Sequence, residues 1–321
     1  MPHIADHDID PELRTVGKII RRLPSTNTPR WFRLNNWYAN RHKKGHFPDH
    51  LHVEERYIPR SDNTQLRVLV AWPDNPQPLA TGVLWLYGGG YAVGLPETDL
   101  RYAEKITAIT NSVMIFPDYR RSTEAPYPAG LNDAYTALEW MLKEADTLGI
   151  NPNQLFVAGE SAGGGLAAAL SLYVRDHSSI KIAFQMPLYP MLDDRPTSSS
   201  ADNDAPVWNT KSNRIAWSLY LGDYYGTDQV PPYAAPARAV DYADLPPTYS
   251  FVGTIEPFYA EVLTYIRNLQ DAGVTARADV YPGAFHAFDL MLPNATISQE
   301  ATRNWLNAFR FATDHYFAKN T

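Results

Sequence analysis

Residues 156–170 read FVAGESAGGGLAAAL, and what surrounds Ser161 in this stretch decides the fold. An apolar run, QLFVAG (154–159), enters it as a strand, and an Ala/Leu-rich run leaves it as a helix over 162–175. Between them, Gly159-Glu160-Ser161-Ala162-Gly163 is the G-x-S-x-G pattern in its strand–turn–helix context. The spacing has a steric cause. A nucleophile lifted above a sheet on a sharp turn leaves no room for side chains two residues to either side, so both positions are glycine. The following helix aims its first N–H groups at the serine and favours negative charge developing there. No G-K-[ST] follows, which argues against a phosphate-binding loop.

Upstream, the strand GVLWLY (82–87) runs into Gly88-Gly89-Gly90-Tyr91. Consecutive glycines let bare amides approach a ligand, and a tetrahedral oxyanion needs about two or three such donors near ~3 Å. The amide of Ala162, next after the serine, joins them. Downstream, position selects one histidine of nine. His286, in YPGAFHAFDL, follows a late strand, on a loop from which a base reaches Ser161 in the order serine, acid, histidine. The spacing of His42, His46, His50 and His52 hints at a metal, but Gly45 and Pro48 interrupt any helix there, and the segment reads as solvated loop with no metal site. His177 and His315 fall at helix ends, and His3 and His7 in the terminus. The acid must lie between 161 and 286. Glu256 follows the strand 247–253 by three residues; Glu261 is placed within the next helix, Asp271 near its end and Asp279 inside a strand, so Glu256 has the best position to orient the imidazole.

The rest of the chain repeats the same rhythm. Strands are expected at 52–59, 65–73, 82–87, 112–119, 154–159, 181–189, 247–253 and 275–283, and helices at 98–110, 129–147, 162–175, 258–272 and 297–318. Continuous apolar strands alternating with helices predict an α/β fold, a mostly parallel sheet covered on both faces. Leu13, Val16, Ile19, Ile20 and Leu23 predict a short helix over 11–23, and 24–50 reads as short helix and loop. Residues 192–245 break the rhythm with DDRPTSSSADNDAP and a helix-like VWNTKSNRIAWSLYLG. They read as an insertion over the ligand-binding edge of the sheet, a helical lid together with 1–50, dividing the core into 51–191 and 246–321.

Composition narrows the partners. Of 321 residues, 28 are Lys or Arg and 35 Asp or Glu, a net charge of −7 that offers no basic footprint for nucleic acid. With no cysteine, disulfides, thiolate metal sites and cysteine nucleophiles are excluded. The start MPHIADHDID lacks a secretion signal, and no apolar stretch reaches the ~18 residues of a membrane span. A cytoplasmic protein without membrane partners is the expectation.

Taken together, Tyr87-Gly88-Gly89-Gly90, Asp118-Tyr119-Arg120 with Glu124–Ala129, Gly159–Gly164, Glu256-Pro257 and His286-Ala287-Phe288 resemble, in this order, the hormone-sensitive-lipase-like branch of the α/β-hydrolase superfamily, the bacterial family IV carboxylesterases. The resemblance implies the α/β-hydrolase fold, a Ser161–Glu256–His286 triad, an oxyanion hole of Gly89, Gly90 and Ala162, and no cofactor. It allows a homodimer through the last strand. Three residues depart from the family pattern: Tyr87 where histidine is usual, Glu160 for the commoner aspartate, and Glu256 for aspartate. The Asp118–Ala129 segment reads as scaffold for the glycine loop. The expected reaction is hydrolysis of short-chain acyl esters through an acyl-enzyme. Aromatic crowding in the lid (Trp31, Phe32, Trp37, Tyr38, Trp208, Trp217, Tyr220, Tyr224, Tyr225) suggests a narrow pocket, with Tyr91 and Trp208 touching substrate. Amide hydrolysis by the same triad, or a non-catalytic small-molecule receptor on the same fold, are the alternatives; the presence of His286 argues against the receptor.

Overall fold

In the computed structural model, which describes residues 4–22 and 28–318, the apolar runs assemble into one eight-stranded sheet. His3 and Leu23 lie outside the described residues. The strands are β1 His52–Pro59, β2 Gln65–Trp72, β3 Ala80–Leu86, β4 Ser112–Pro117, β5 Ile150–Glu160, β6 Phe184–Leu188, β7 Thr248–Gly253 and β8 Ala276–Tyr281. Their order is β1-β2-β4-β3-β5-β6-β7-β8. β2 is antiparallel to β1 and β4, and every pairing from β4 to β8 is parallel. Every residue of β3, β4 and β7 is buried, as strands covered on both faces require.

The helices are α1 Arg14–Arg22, α2 Pro29–His42, α3 Pro96–Thr107, α4 Ala129–Lys143, α5 Ala145–Leu148, α6 Ala162–His177, α7 Thr210–Leu221, α8 Tyr259–Asp271, α9 Phe288–Met291 and α10 Thr296–His315. α6 is buried without a break from Ala162 to Leu172, because it lies against β3, β5 and β6 and is flanked by α4. Its run of Gly, Ala and Leu is apolar all round, the pattern of a central helix. The helix expected over 129–147 divides at Glu144 into α4 and α5, and Gly149, in the left-handed region, closes α5.

The segment 24–50 holds more helix than its composition suggests. Thr28 caps α2 by accepting the Trp31 N–H, and Pro29 fills the first turn, so a proper start signal outweighs the Asn- and His-rich sequence that follows. α1 is seated through Gly17, where a β-carbon would stand 3.2 Å from Pro206 Cγ and 3.4 Å from Phe285 Cε1. Ile19, expected on its apolar face, is exposed. The N-terminal segment thus touches both the 192–245 insertion and the loop that carries His286; Asp10 N–H donates to Gly283 O and Ile4 N–H to Asp204 Oδ1.

Candidate active site

The corner between β5 and α6 holds Ser161 at φ 57°, ψ −121°, a left-handed conformation for a residue with a side chain. Three backbone bonds fix it. Its N–H donates to Leu188 O, and its carbonyl accepts from Gly165 and Met191. The glycines answer to contacts now visible. A β-carbon on Gly159 would lie 2.6 Å from the Gly163 carbonyl carbon, and one on Gly163 would lie 2.5 Å from Tyr87 O; both would also collide with Leu86 O. β3, β5 and α6 meet too closely there for any side chain.

Ser161 Oγ lies 2.8 Å from His286 Nε2, and His286 Nδ1 lies 2.5 Å from Glu256 Oε2. The second oxygen of Glu256 accepts the Gly253 N–H at 2.8 Å, so the carboxylate is held from both ends. Glu256 is fully buried, and Ser161 and His286 are nearly so. The structure does not bring the other candidate acids to the histidine. Glu261 accepts Leu192 N–H instead, Asp279 receives the Tyr249 hydroxyl, and Asp271 ends α8. Edge-on rings of Tyr189 and Phe258, at 5.1 and 5.0 Å, fix the imidazole plane.

The acid-bearing loop is also clamped by the insertion. Ser199 Oγ donates to Pro257 O and accepts from Ala260 N–H, while Asn203 Nδ2 donates to Ile255 O. Both side chains are buried. In the sequence this stretch reads only as part of the 192–245 insertion, because small hydroxyl and amide groups carry no periodicity that would reveal a brace.

The glycine loop faces this group from β3. Gly89 (φ 112°) and Gly90 (φ 60°) adopt conformations that favour glycine. Among the described residues, the N–H groups of Gly89, Gly90 and Ala162 have no acceptor within the protein. The Gly88 N–H is committed elsewhere, donating to Glu160 Oε1 at 3.0 Å, and a β-carbon on Gly88 would stand 2.6 Å from Glu160 Cδ. Tyr87, in the place of the family histidine, makes a reciprocal pair with Tyr119: each hydroxyl donates to the other's carbonyl, at 2.8 and 2.6 Å, and the rings stack at 4.1 Å. Ser122 N–H to Tyr91 O and Arg121 Nη1 to Gly94 O extend this bracing.

Glu160, next to Ser161 in the chain, is strongly perturbed. Burial, with the nearby Asp99 charge, pushes its carboxyl up to about 8, against the pull of Arg101 and the Gly88 N–H. Burial also raises Asp99, and takes Asp289, three residues past His286, up to about 6. Three carboxyls drawn from α3, the end of β5 and α9 therefore share one buried region with Arg101.

Trp208 and Tyr91 differ in placement. The Trp208 indole covers Gly90, where a β-carbon would be 3.1 Å from Trp208 Cζ2 and 3.2 Å from the Ala216 β-carbon, and its ring centroid is 6.2 Å from that of His286. Tyr91 is turned inward: its hydroxyl donates to Met191 O and its ring stacks on Tyr220 at 3.9 Å. Trp31, Trp37 and Tyr38, expected among the pocket aromatics, lie on the outer surface instead, because α2 faces the protein through Phe32 and Asn36.

A mostly parallel sheet in this order, with a strained serine at the corner after β5 and a glycine loop after β3, places the molecule among the α/β-hydrolases. A match to the family described as "alpha/beta hydrolase fold" spans residues 83–290. The carboxylesterase NlhH of Mycobacterium tuberculosis is 32% identical over 82% of this chain and 83% of its own. The esterase LipI of the same organism is 32% identical over 75% and 76%. Among solved structures, a bacterial heroin esterase superposes with a TM-score of 0.86 at 30% identity, covering 96% of this chain and 98% of that one. The chain belongs to this α/β-hydrolase family, in its hormone-sensitive-lipase-like branch, and is a carboxylic ester hydrolase.

Proposed function

We propose that Ser161, His286 and Glu256 form the catalytic triad of a serine carboxylesterase acting on short-chain acyl esters. The observation that carries the assignment is the hydrogen-bonded line from Ser161 Oγ through His286 to a buried Glu256. Ser161 Oγ attacks the ester carbonyl while His286 Nε2 takes its proton. Glu256 holds the imidazole tautomer and stabilises the imidazolium. The carbonyl oxygen, now an anion, receives the N–H groups of Gly89, Gly90 and Ala162, donors already in place and needing no reorganisation. His286 returns the proton to the departing alcohol, leaving an acyl-serine. Water activated by His286 then releases the acid and restores the serine.

The restriction to short acyl chains is supported by enclosure. Trp208 and Ala216 press on Gly90, and the Tyr91–Tyr220–Trp217 group packs behind the loop. In this reading 1–50 and 192–245 form one lid over a core of 51–191 and 246–321, with Trp208 bordering the acyl group and Tyr91 supporting that wall from behind. Fluorophosphonate labelling tests the nucleophile: wild type is expected to label stoichiometrically, and Ser161→Ala and His286→Ala to stay unlabelled. A p-nitrophenyl ester series tests the acyl limit. Turnover of decanoate or longer esters equal to that of acetate or butyrate rejects it, and labelling of the Ser161→Ala variant rejects the nucleophile.

A further inference from the structure

Helix α2 carries large apolar side chains on both sides. Phe32 and Asn36 face the protein, and Asn36 Nδ2 donates to Ala92 O, two residues beyond Gly90. On the other side Trp31, Leu34, Trp37 and Tyr38 are 44%, 49%, 60% and 54% exposed. At ~100° per residue these four occupy an arc of about 120°, and Arg30 and Arg41 project within it while Arg33 borders it. Residues 29–44 contain five Lys or Arg and no Asp or Glu, in a chain of net charge −7. Among the described residues, Arg30, Arg33, Arg41 and Lys43 form no ion pair; only Lys44 is matched, with Asp118.

We propose that the outward face of α2 docks peripherally on an anionic lipid surface. The mixing of side chains selects this partner. Protein interfaces also take Trp, Tyr and Arg, but five cations without one acid over 29–44 call for a densely anionic partner. Here guanidiniums and large apolar groups share one stripe, and a lipid–water interface offers anionic headgroups and hydrocarbon at nearly one depth. Trp and Tyr favour that depth, and Arg can lay its stem on hydrocarbon while its head meets phosphate. A second copy of the chain fits poorly, since two-fold pairing through this face sets the same guanidiniums against their own copies. Among the described residues no helix is long and apolar enough to cross a membrane, so the contact is superficial. Because Asn36 ties the inner side of α2 to the loop after Gly90, docking brings the ester site beside the surface where apolar esters partition.

The test is vesicle co-sedimentation of the full chain with phosphatidylcholine alone and with equal parts phosphatidylglycerol, at low and high salt. Binding to the anionic vesicles is expected, reversed by high salt, with a blue shift of tryptophan emission. Each cation near an anionic surface contributes about fivefold to binding, so Arg30→Glu/Arg33→Glu/Arg41→Glu is expected to weaken it at least about a hundredfold. Trp31→Ala/Trp37→Ala is expected to abolish the blue shift. All five side chains are exposed, so melting temperature and turnover of a dissolved ester should remain at wild-type values. The proposal is overturned if wild type fails to sediment with anionic vesicles at low salt, or binds neutral vesicles equally. It is equally overturned if Trp31→Ala/Trp37→Ala dissociates a dimer, which assigns the face to a second copy.

Discussion

Glu160→Gln is expected to leave the ester hydrolase working at neutral pH and to remove a sensitivity to alkali. The carboxyl is buried beside Asp99 and Asp289 and has been pushed up to about 8, so near pH 7 about nine-tenths of it is protonated. Glutamine is then close to isosteric, and its carbonyl can accept the Gly88 N–H as Oε1 does. The sign of the pH effect follows from proton counting. Below the unfolded value of 4.5 both states hold the proton; between 4.5 and about 8 only the folded state does. Unfolding therefore releases a proton, and stability falls as pH rises through that window by up to ~1.4 kcal/mol per unit. Between about pH 6 and about pH 7.5 the loss approaches ~2 kcal/mol, or roughly 3 °C in melting temperature at this chain length. Ionised Glu160 would also place a charge of the wrong sign beside the developing oxyanion, so turnover should decline with a midpoint near the same value. Titrimetric hydrolysis of a simple butyrate ester and thermal unfolding, both against pH, compare the two proteins. Glu160→Gln should flatten both curves and remain within about threefold of wild type at pH 7. A more than tenfold loss at pH 7 with unchanged melting temperature would show that the charged form is used. An identical alkaline decline in the variant would refute the assignment of that decline to Glu160.

Glu256→Gln keeps the side-chain length but lets the imidazole lose its orienting anion; kcat is expected to fall by about 10³–10⁴ with little change in KM, checked by steady-state kinetics. Gly90→Ala places a methyl against Trp208 in a left-handed conformation, and displacing that amide should cost about 10²–10³ in kcat. Asn203→Ala removes the bond to Ile255 O and is expected to destabilise the fold by about 1–3 kcal/mol in denaturant titration. Its kcat should fall more than its KM rises, because Glu256 sits on the loop that is freed.

What could be read from the sequence was whatever is local or ordered along the chain. Ser161 announced itself because the corner needs its glycines within four residues of one another, and the sheet because each strand is a continuous apolar run. His286 and Glu256 were reachable through chain order and position after a strand, and the structure sets them in one line with Ser161. What stayed hidden depends on segments that meet only in three dimensions. Nothing near Glu160 in sequence hints at Asp99 or Asp289, and Ser199 and Asn203 look like any polar loop until Glu256 is seen lying against them. Tyr87 is the instructive case. It departs from the family histidine, and the hydrogen bonding changes with it: its hydroxyl reaches Tyr119 O while Tyr119 reaches back to Tyr87 O. The residue before the glycines thus works as a strut between β3 and the Asp118–Ala129 segment. In the proposed mechanism the oxyanion donors are backbone amides beyond it, so the side chain at 87 can differ while the donors of Gly89 and Gly90 keep their places.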